Sequence, residues 1–264
     1  CSGSSSYACA TRPGRQFIPL RKITRRLLPN NRSMMKKILL TFTFATLTNG
    51  LVAGDWTGFR GPLGNGVSDE VGLPVALDAK KHIAWRIDLP GRGLSSPLVV
   101  GDRVFVTASG GTRQDRLQIL CLNAADGSVI WQRQFWAMGS TVCHKKTSIA
   151  APTPVTDGER LFTLFSSNDL FCLDLDGNLK WLRGLTHDYP NAANSLGMSS
   201  SPVLADGVFV TQVENDADSF SAGLDLATGK TLWRKARPKG ANWTSPTLLR
   251  HKNEELVALQ SKEG

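Results

Sequence analysis

Short apolar runs separated by turn residues make up most of the chain after about residue 95. The first stretch contains four runs: about Ser96–Val100, Arg103–Thr107, Leu117–Asn123 and Ser128–Arg133. They are rich in Val, Ile, Leu and Phe, which favour β-strands. Nearly every position within a run is apolar, as expected of strands that are covered on both faces. The pattern therefore predicts small antiparallel sheets that are buried between neighbours.

The same pattern recurs along the chain. Four segments open alike, at Ser95-Ser96-Pro97, Thr153-Pro154, Ser200-Ser201-Pro202 and Thr244-Ser245-Pro246. Three close alike, with a Gly four residues before a Trp: Gly127 and Trp131, Gly177 and Trp181, Gly229 and Trp233. Four strands in each repeat of about 45–50 residues are the signature of propeller blades. The predicted fold class is all-β, a β-propeller of four-stranded antiparallel blades.

The recurring Trp is predicted to have a structural role. One blade cannot bury both of its faces, and an indole near the outer strand hides about 200 Å² of apolar area when it docks against the next blade. Trp85 stands 46 residues before Trp131 and extends the series towards the N-terminus. It is predicted to lie in the last strand of the final blade, which seals the ring.

These repeats set the predicted domain boundaries. Residues 54–83 are expected to form an irregular N-terminal segment, and residues 84–264 a partial propeller. The predicted blades cover about residues 95–133, 150–183, 199–235 and 244–264, the last of them truncated. This amounts to an incomplete ring of about three and a half blades.

The net charge of +9 comes from the N-terminal region and not from the predicted propeller. Nine of the 31 Lys and Arg residues precede residue 54, where no Asp or Glu occurs, which leaves 22 basic and 22 acidic residues from there onward. The predicted propeller is therefore about neutral. It lacks the basic field that phosphate binding needs, so nucleic acid is not an expected partner.

The basic N-terminal region contains a predicted signal peptide at residues 35–53. Lys36-Lys37 precede the apolar residues 38–47, and small residues follow at Gly50, Ala53 and Gly54. About ten apolar residues are too few for a membrane-spanning helix, so no span is expected after signal removal. Residues 1–34 are interpreted as an upstream or disordered leader, with the true start at Met34 or Met35. The predicted location is periplasmic or extracellular.

Few residues offer chemistry. Cys121 and Cys172 occupy equivalent repeat positions and are predicted to be small buried residues. A metal interpretation of Cys143, His144, His187 and Asp188 is weak, because a metal site needs three or four converging ligands. No catalytic, cofactor-binding or metal-ligating residue is assigned.

The long polar loops between blades are the candidate binding surface. In a propeller, the loops that join the outer strand of one blade to the inner strand of the next converge on one rim. Ordinary solvated loops are the alternative. The candidate residues are Arg92, His144, Lys145, Lys146, Asp188, Tyr189, Asn191, Asn194, Lys239, Asn242 and Trp243.

The closing motif Asp/Thr-Gly-x-x-x-Trp, preceded by Leu-Asp or Leu-Asn, resembles the tryptophan-docking motif of quinoprotein-like β-propellers. The opening Asp55-Trp56-Thr57-Gly58-Phe59-Arg60-Gly61 is similar to the start of secreted PQQ-binding-like repeat proteins. The resemblance covers about residues 55–264. The family usually closes a ring of eight blades, so the resemblance implies about eight in the whole protein. That family includes BamB-type outer-membrane assembly factors and quinone-dependent alcohol dehydrogenases.

The resemblance implies two functions. The first is a non-catalytic binding or scaffold module that meets a protein partner of the cell envelope through the rim. The alternative is a PQQ-dependent alcohol dehydrogenase-like oxidoreductase, with PQQ and Ca²⁺ held by residues in a missing C-terminal half. The alcohol-oxidising members flank their cofactor with a vicinal Cys-Cys pair, and this sequence contains no such pair.

Overall fold

A computed structural model describes residues 54–78, 80–192, 196–252 and 254–264. The predicted leader and signal peptide, at residues 1–53, lie outside the described residues. The strands are β1 Leu98–Val100, β2 Arg103–Gly110, β3 Arg116–Asn123, β4 Val129–Trp136, β5 Val155–Thr156, β6 Arg160–Leu164, β7 Asp169–Asp174, β8 Leu179–Gly184, β9 Val203–Ala205, β10 Val208–Val213, β11 Phe220–Asp225, β12 Thr231–Ala236, β13 Thr247–His251 and β14 Glu254–Ala258. The single short helix in the described part, α1, covers Leu185–Asp188.

Consecutive strands pair antiparallel and form separate blades. Strands β1 to β4, β5 to β8 and β9 to β12 each make a four-stranded sheet in chain order, and β13 pairs with β14. The all-β propeller architecture, with an incomplete ring, is confirmed. Each complete blade has a register shift at the same place in its third strand, after Cys121, Cys172 and Gly223, opposite the Trp of the fourth strand.

The strands differ from the expected ones at two places. In the first blade β2 continues to Gly110 and β4 to Trp136, so this sheet is longer than the sequence predicts. The strand expected at Trp85 is absent, and regular structure within the described residues begins at Leu98. A strand needs a partner strand for its backbone groups, and the described part of the chain offers none beside Trp85.

The core lies between the blades. One buried cluster joins Phe162, Cys172 and Phe209 across the second and third blades, and another joins Phe105, Cys121 and Phe171 across the first and second. Burial raises the pKa of Cys121 to about 11 and that of Cys172 to about 12. Both thiols therefore behave as small apolar core groups, as the repeat predicts.

Trp85, Trp131 and Trp181 each dock on the Gly turn of the blade that follows. The indole Nε1 of Trp131 donates to the Leu175 carbonyl at 2.8 Å, and that of Trp181 to the Leu226 carbonyl at 2.9 Å. Trp85 makes the equivalent bond to Ala124 at 2.8 Å, although it lies in no strand. The structural role of the Trp series is therefore visible at three successive places.

The docking explains why Gly recurs four residues before each Trp. A Cβ on Gly177 would lie 2.7 Å from the Trp131 ring, and Cβ atoms on Gly127 and Gly229 would meet Trp85 and Trp181 as closely. At Gly177 φ is also +82°, a backbone conformation that favours glycine. An Arg two residues after the Trp adds a second contact between the blades. Arg133 donates to the Gly177 carbonyl and Arg183 to the Gly229 carbonyl, each at 2.7 Å.

Candidate functional site: the loop rim and the central groove

Strand direction divides the ends of the blades into two faces. The turns between first and second strands and between third and fourth strands, including Gly158 and Gly177, lie at one end, here called the turn face. The connections between blades lie at the other, here called the loop rim: residues 86–97, 137–154, 185–202 and 237–246. Because the strands alternate in direction, every connection between blades reaches the same end of the sheets.

Hydrogen bonds join the four segments of the loop rim in order. Arg92 donates to the Lys145 carbonyl at 2.6 Å. The His144 backbone N–H donates to the Leu196 carbonyl at 3.0 Å, and the Trp243 indole N–H donates to the Gly197 carbonyl at 3.0 Å. The four loops that carry the predicted rim residues are therefore in contact with one another, as far as the structure describes them.

The loop rim is basic and partly apolar. The side chains of Arg92, His144, Lys145, Lys146 and Lys239 are exposed, and so is Asn191. Large apolar side chains stand among them, with Val142 60%, Trp243 45% and Leu196 43% exposed. A surface of this kind suits a partner that brings acidic and apolar groups together.

Three predicted rim residues support the fold instead. Asn242 donates to the buried Glu214 carboxylate at 2.7 Å. Asp188 pairs with Arg183, and Tyr189 packs against the Phe220 ring with a centroid separation of 4.6 Å. These groups fix the loops in place. Asn194 lies outside the described residues.

Three of the four residues weighed for a metal site have other partners. Gln114 donates to the Cys143 sulfur at 3.5 Å, and the His144 Nδ1 accepts the Lys146 backbone N–H at 3.1 Å. Asp188 is bound to Arg183. Within the described ranges, no three residues of the types His, Cys, Asp and Glu come together.

A buried carboxylate, which the sequence did not indicate, orders the rim from below. Asp169 accepts the Met138 backbone N–H at 3.0 Å and the Ser167 hydroxyl at 2.7 Å. It is fully buried, and burial is the main cause that raises its pKa. Asp169 therefore ties the start of the loop after β4 to the hairpin between β6 and β7.

A central groove runs along the inner strands from the loop rim towards the turn face. It has a volume of about 710 Å³. Residues of β5, β9 and β13 and of the segments that precede the inner strands line it. Its layer nearest the rim consists of Leu94, Ala151, Ser199 and Trp243, and the next layer consists of Ser96, Thr153, Ser201 and Ser245.

This second layer, here called the hydroxyl row, links the blades. The Ser96 backbone N–H donates to the Thr153 hydroxyl oxygen at 3.0 Å, the Thr153 N–H to Ser201 at 2.9 Å, and the Ser201 N–H to Ser245 at 2.9 Å. The Ser/Thr-Pro motif that opens each repeat supplies these residues. Each blade therefore accepts one hydrogen bond from the blade before it.

Residues 55–64, here called the N-terminal strap, form the wall of the groove near the turn face. Trp56 pairs with Val99 through two backbone bonds of 2.8 and 3.0 Å. Asp55 accepts the Gly101 N–H at 2.8 Å, and the Thr57 carbonyl accepts the Thr156 N–H at 3.0 Å. The strap thus crosses the inner edges of the first two blades.

The groove carries little net charge. Five charged residues line it: Arg60, Arg250, Asp157, Asp206 and Glu255. Asp157 pairs with Arg160 at 2.7 Å and Glu255 with Arg250 at 3.1 Å, which leaves one residue of each sign. A PQQ cofactor carries several carboxylates and is accompanied by Ca²⁺, which needs a cluster of oxygen ligands. The described groove residues do not fit this group, because they offer neither an excess of cations nor such a cluster.

The fold and its Trp–Gly docking define a quinoprotein-like β-propeller. The sequence profile of the family described as outer membrane protein assembly factor BamB matches residues 66–264. Since this match covers most of the chain, the protein belongs to that family.

Curated relatives are of two kinds. A polyvinylalcohol dehydrogenase of Sphingopyxis sp. (strain 113P3) is 26% identical over 201 residues, 69% of this chain and 28% of that protein. A BamB of Alkalilimnicola ehrlichii (strain ATCC BAA-1101 / DSM 17681 / MLHE-1) is 28% identical over 160 residues, 60% of this chain and 36% of that protein. The chain therefore spans about a third of the length of these relatives.

Solved structures show the same two kinds. BamB from Moraxella catarrhalis matches with a TM-score of 0.42 and 19% identity, over 62% of this chain and 45% of that one. A quinohemoprotein alcohol dehydrogenase from Comamonas testosteroni matches with a TM-score of 0.47 and 15% identity, over 69% and 27%. The described residues contain no helix that is long and apolar enough to cross a membrane.

Proposed function

We propose that this protein is an exported, non-catalytic binding or scaffold module that engages a protein of the cell envelope through the loop rim. The observation that carries the proposal is the hydrogen-bonded series from Arg92 through Lys145 and Leu196 to Trp243, which holds basic and apolar groups on one exposed surface. The match to the assembly-factor family supports a protein partner. Export and the periplasmic or extracellular location rest on the sequence of residues 35–53.

The binding surface is tested by site-specific photocrosslinking in cells. A photoreactive residue is placed at Lys145 or Trp243 on the loop rim, and at Lys230 on the turn face as the control. The rim positions are expected to yield an adduct with an envelope protein, and the exposed Lys230 is not. An equal yield from Lys230 would contradict the proposal.

Charge reversal separates the role of the rim from stability. Lys145→Glu combined with Lys146→Glu should reduce the adduct formed at Trp243 without changing the melting temperature, because neither ammonium group has a partner in the described part of the chain. Lys230→Glu is the matched control and should leave the adduct unchanged. An unaltered adduct in the rim variant would show that the basic side chains do not contribute.

The dehydrogenase is the second candidate, and the matches to polyvinylalcohol dehydrogenases favour it. Since the described groove does not fit PQQ with Ca²⁺, the cofactor ligands would come from other parts of the protein. The test adds PQQ and Ca²⁺ to the complete protein and measures dye reduction with simple alcohols and polyvinyl alcohol. Turnover would refute the non-catalytic proposal, and its absence would refute the dehydrogenase.

A further inference from the structure

The hydroxyl row has unused hydrogen-bonding capacity. In the described part of the chain, the oxygens of Thr153, Ser201 and Ser245 each accept one backbone N–H, and none of the three hydroxyls donates to a protein acceptor. A hydroxyl group carries one donor and two acceptor sites. Each of these three groups keeps an O–H hydrogen and a lone pair beyond its structural role. Thr153 and Ser201 are buried, so Ser245, which is half-buried, is the member of the three that a ligand can reach.

Two more hydroxyls on the groove wall have no structural role. Ser96 Oγ and Ser199 Oγ make no hydrogen bond among the described residues, and both line the groove. They belong to different blades and to adjacent layers of the wall. The wall thus presents a spaced array of groups that both donate and accept.

The charge of the groove and the residues at its mouth restrict the class of ligand further. The five charged lining residues nearly balance, so an ionic ligand would find no excess of opposite charge. At the mouth, Trp243 is 45% exposed and its indole N–H is bound to Gly197, which fixes the ring as an apolar platform. The volume of about 710 Å³ lies within the usual range for small-ligand sites.

We propose that the central groove binds a neutral glycan, which enters from the loop rim and lies along the part of the wall that carries Ser96, Ser199 and Ser245. Alcohol groups both donate and accept, so they complement the array on the wall. The C–H faces of such a chain pack against Trp243. The N-terminal strap bounds the site on the side of the turn face. Trp243 belongs both to this site and to the loop rim, but the proposal does not rest on the partner surface.

The test is calorimetric titration of the full chain with three neutral oligosaccharides of equal length: maltohexaose, cellohexaose and mannohexaose. Hexagalacturonate, an acidic oligosaccharide of the same length, is the comparison. At least one neutral probe should bind with a dissociation constant below about 1 mM, which corresponds to about 4 kcal/mol. Hexagalacturonate should bind more weakly. Failure of all three neutral probes, or tighter binding of the acidic one, would overturn the proposal.

Substitutions locate the bound chain. Ser96→Ala and Ser199→Ala remove groove hydroxyls without removing a described protein bond, and each should weaken binding about fivefold, as expected for one lost hydrogen bond. Thr141→Ala is the matched control, since Thr141 lies on the loop rim but does not line the groove. Trp243→Ala should weaken binding more than Trp243→Phe, which keeps an aromatic ring. Equal affinities for all these variants would place any bound sugar outside the groove and refute the site.

Discussion

The turn face and the loop rim are built by opposite rules. On the turn face the same contact recurs three times, with an indole N–H bound to a carbonyl and the ring packed on a Gly of the next blade. On the loop rim each junction uses different groups, from the Arg92 guanidinium to the Trp243 indole. One face therefore holds the blades together through a repeated contact, and the other through a different contact at each junction.

The largest expected effect comes from removing a docked indole. Trp131→Ala empties a site that is 8% exposed and deletes the bond to Leu175, so it should lower the free energy of unfolding by about 3–5 kcal/mol. The control is Trp136→Ala at the end of the same strand, where the side chain is 64% exposed. It should cost less than about 1 kcal/mol in the same urea titration. Comparable losses would show that docking is not what stabilises the turn face.

The Gly on the other side of the contact offers a sharper comparison. Gly177→Ala combines a positive φ with a Cβ placed 2.7 Å from the Trp131 ring, so we expect a loss of about 2–4 kcal/mol. Gly158→Ala has the same backbone strain at φ +90° but nothing within 4 Å of the new Cβ. It should lose only about 1–2 kcal/mol. Equal melting temperatures for the two variants would show that the close contact between the new Cβ and the Trp131 ring does not contribute to the loss of stability.

The hydroxyl row should respond more weakly than the docked indoles. Thr153→Val keeps the shape of the side chain but removes the acceptor of the Ser96 N–H, which should cost about 1–2 kcal/mol. Thermal unfolding of this variant beside Thr141→Val, which changes no described hydrogen bond, measures the effect. A neutral result would mean that water replaces the hydroxyl without loss.

The smallest effect is expected on the loop rim itself. Lys145→Ala together with Lys146→Ala removes two exposed side chains and should change the free energy of unfolding by less than about 0.5 kcal/mol. Chemical denaturation of the double variant checks this expectation. A loss of unfolding free energy comparable to that of Thr153→Val would show that these two lysines stabilise the fold.

Repetition decides how much of this molecule the sequence predicts. The Gly-x-x-x-Trp motif recurs with nearly constant spacing, so the blades, the docking of Trp131 and Trp181 and the burial of Cys172 follow from it. The docking of Trp85 is also predictable from the spacing, but the absence of a strand around it is not. A strand depends on a partner strand, and local spacing does not reveal whether one lies beside it.

The rim and the groove were predictable only in part. That the rim loops meet follows from propeller topology, but which side chains support the fold does not. In the sequence, Asn242 and Asp188 look like candidate binding residues. In the structure Asn242 is bound to Glu214, and Asp188 is bound to Arg183. The hydroxyl row did leave a signal, because Ser96, Thr153, Ser201 and Ser245 precede the recurring Pro. The opening motif from Asp55 marked the strap but not its place along the groove, because its contacts run through backbone groups except for the Asp55 carboxylate.

The division of the docking contact between two blades has a consequence for how such a chain grows. Each unit of about 50 residues carries a Trp that fits its successor and a Gly turn that fits its predecessor. A duplicated unit would therefore bring both halves of the contact with it and could join the series on the turn face without any compensating change there. The loop at its other end carries no such matched pair, so the new copy would need contacts of its own on the loop rim.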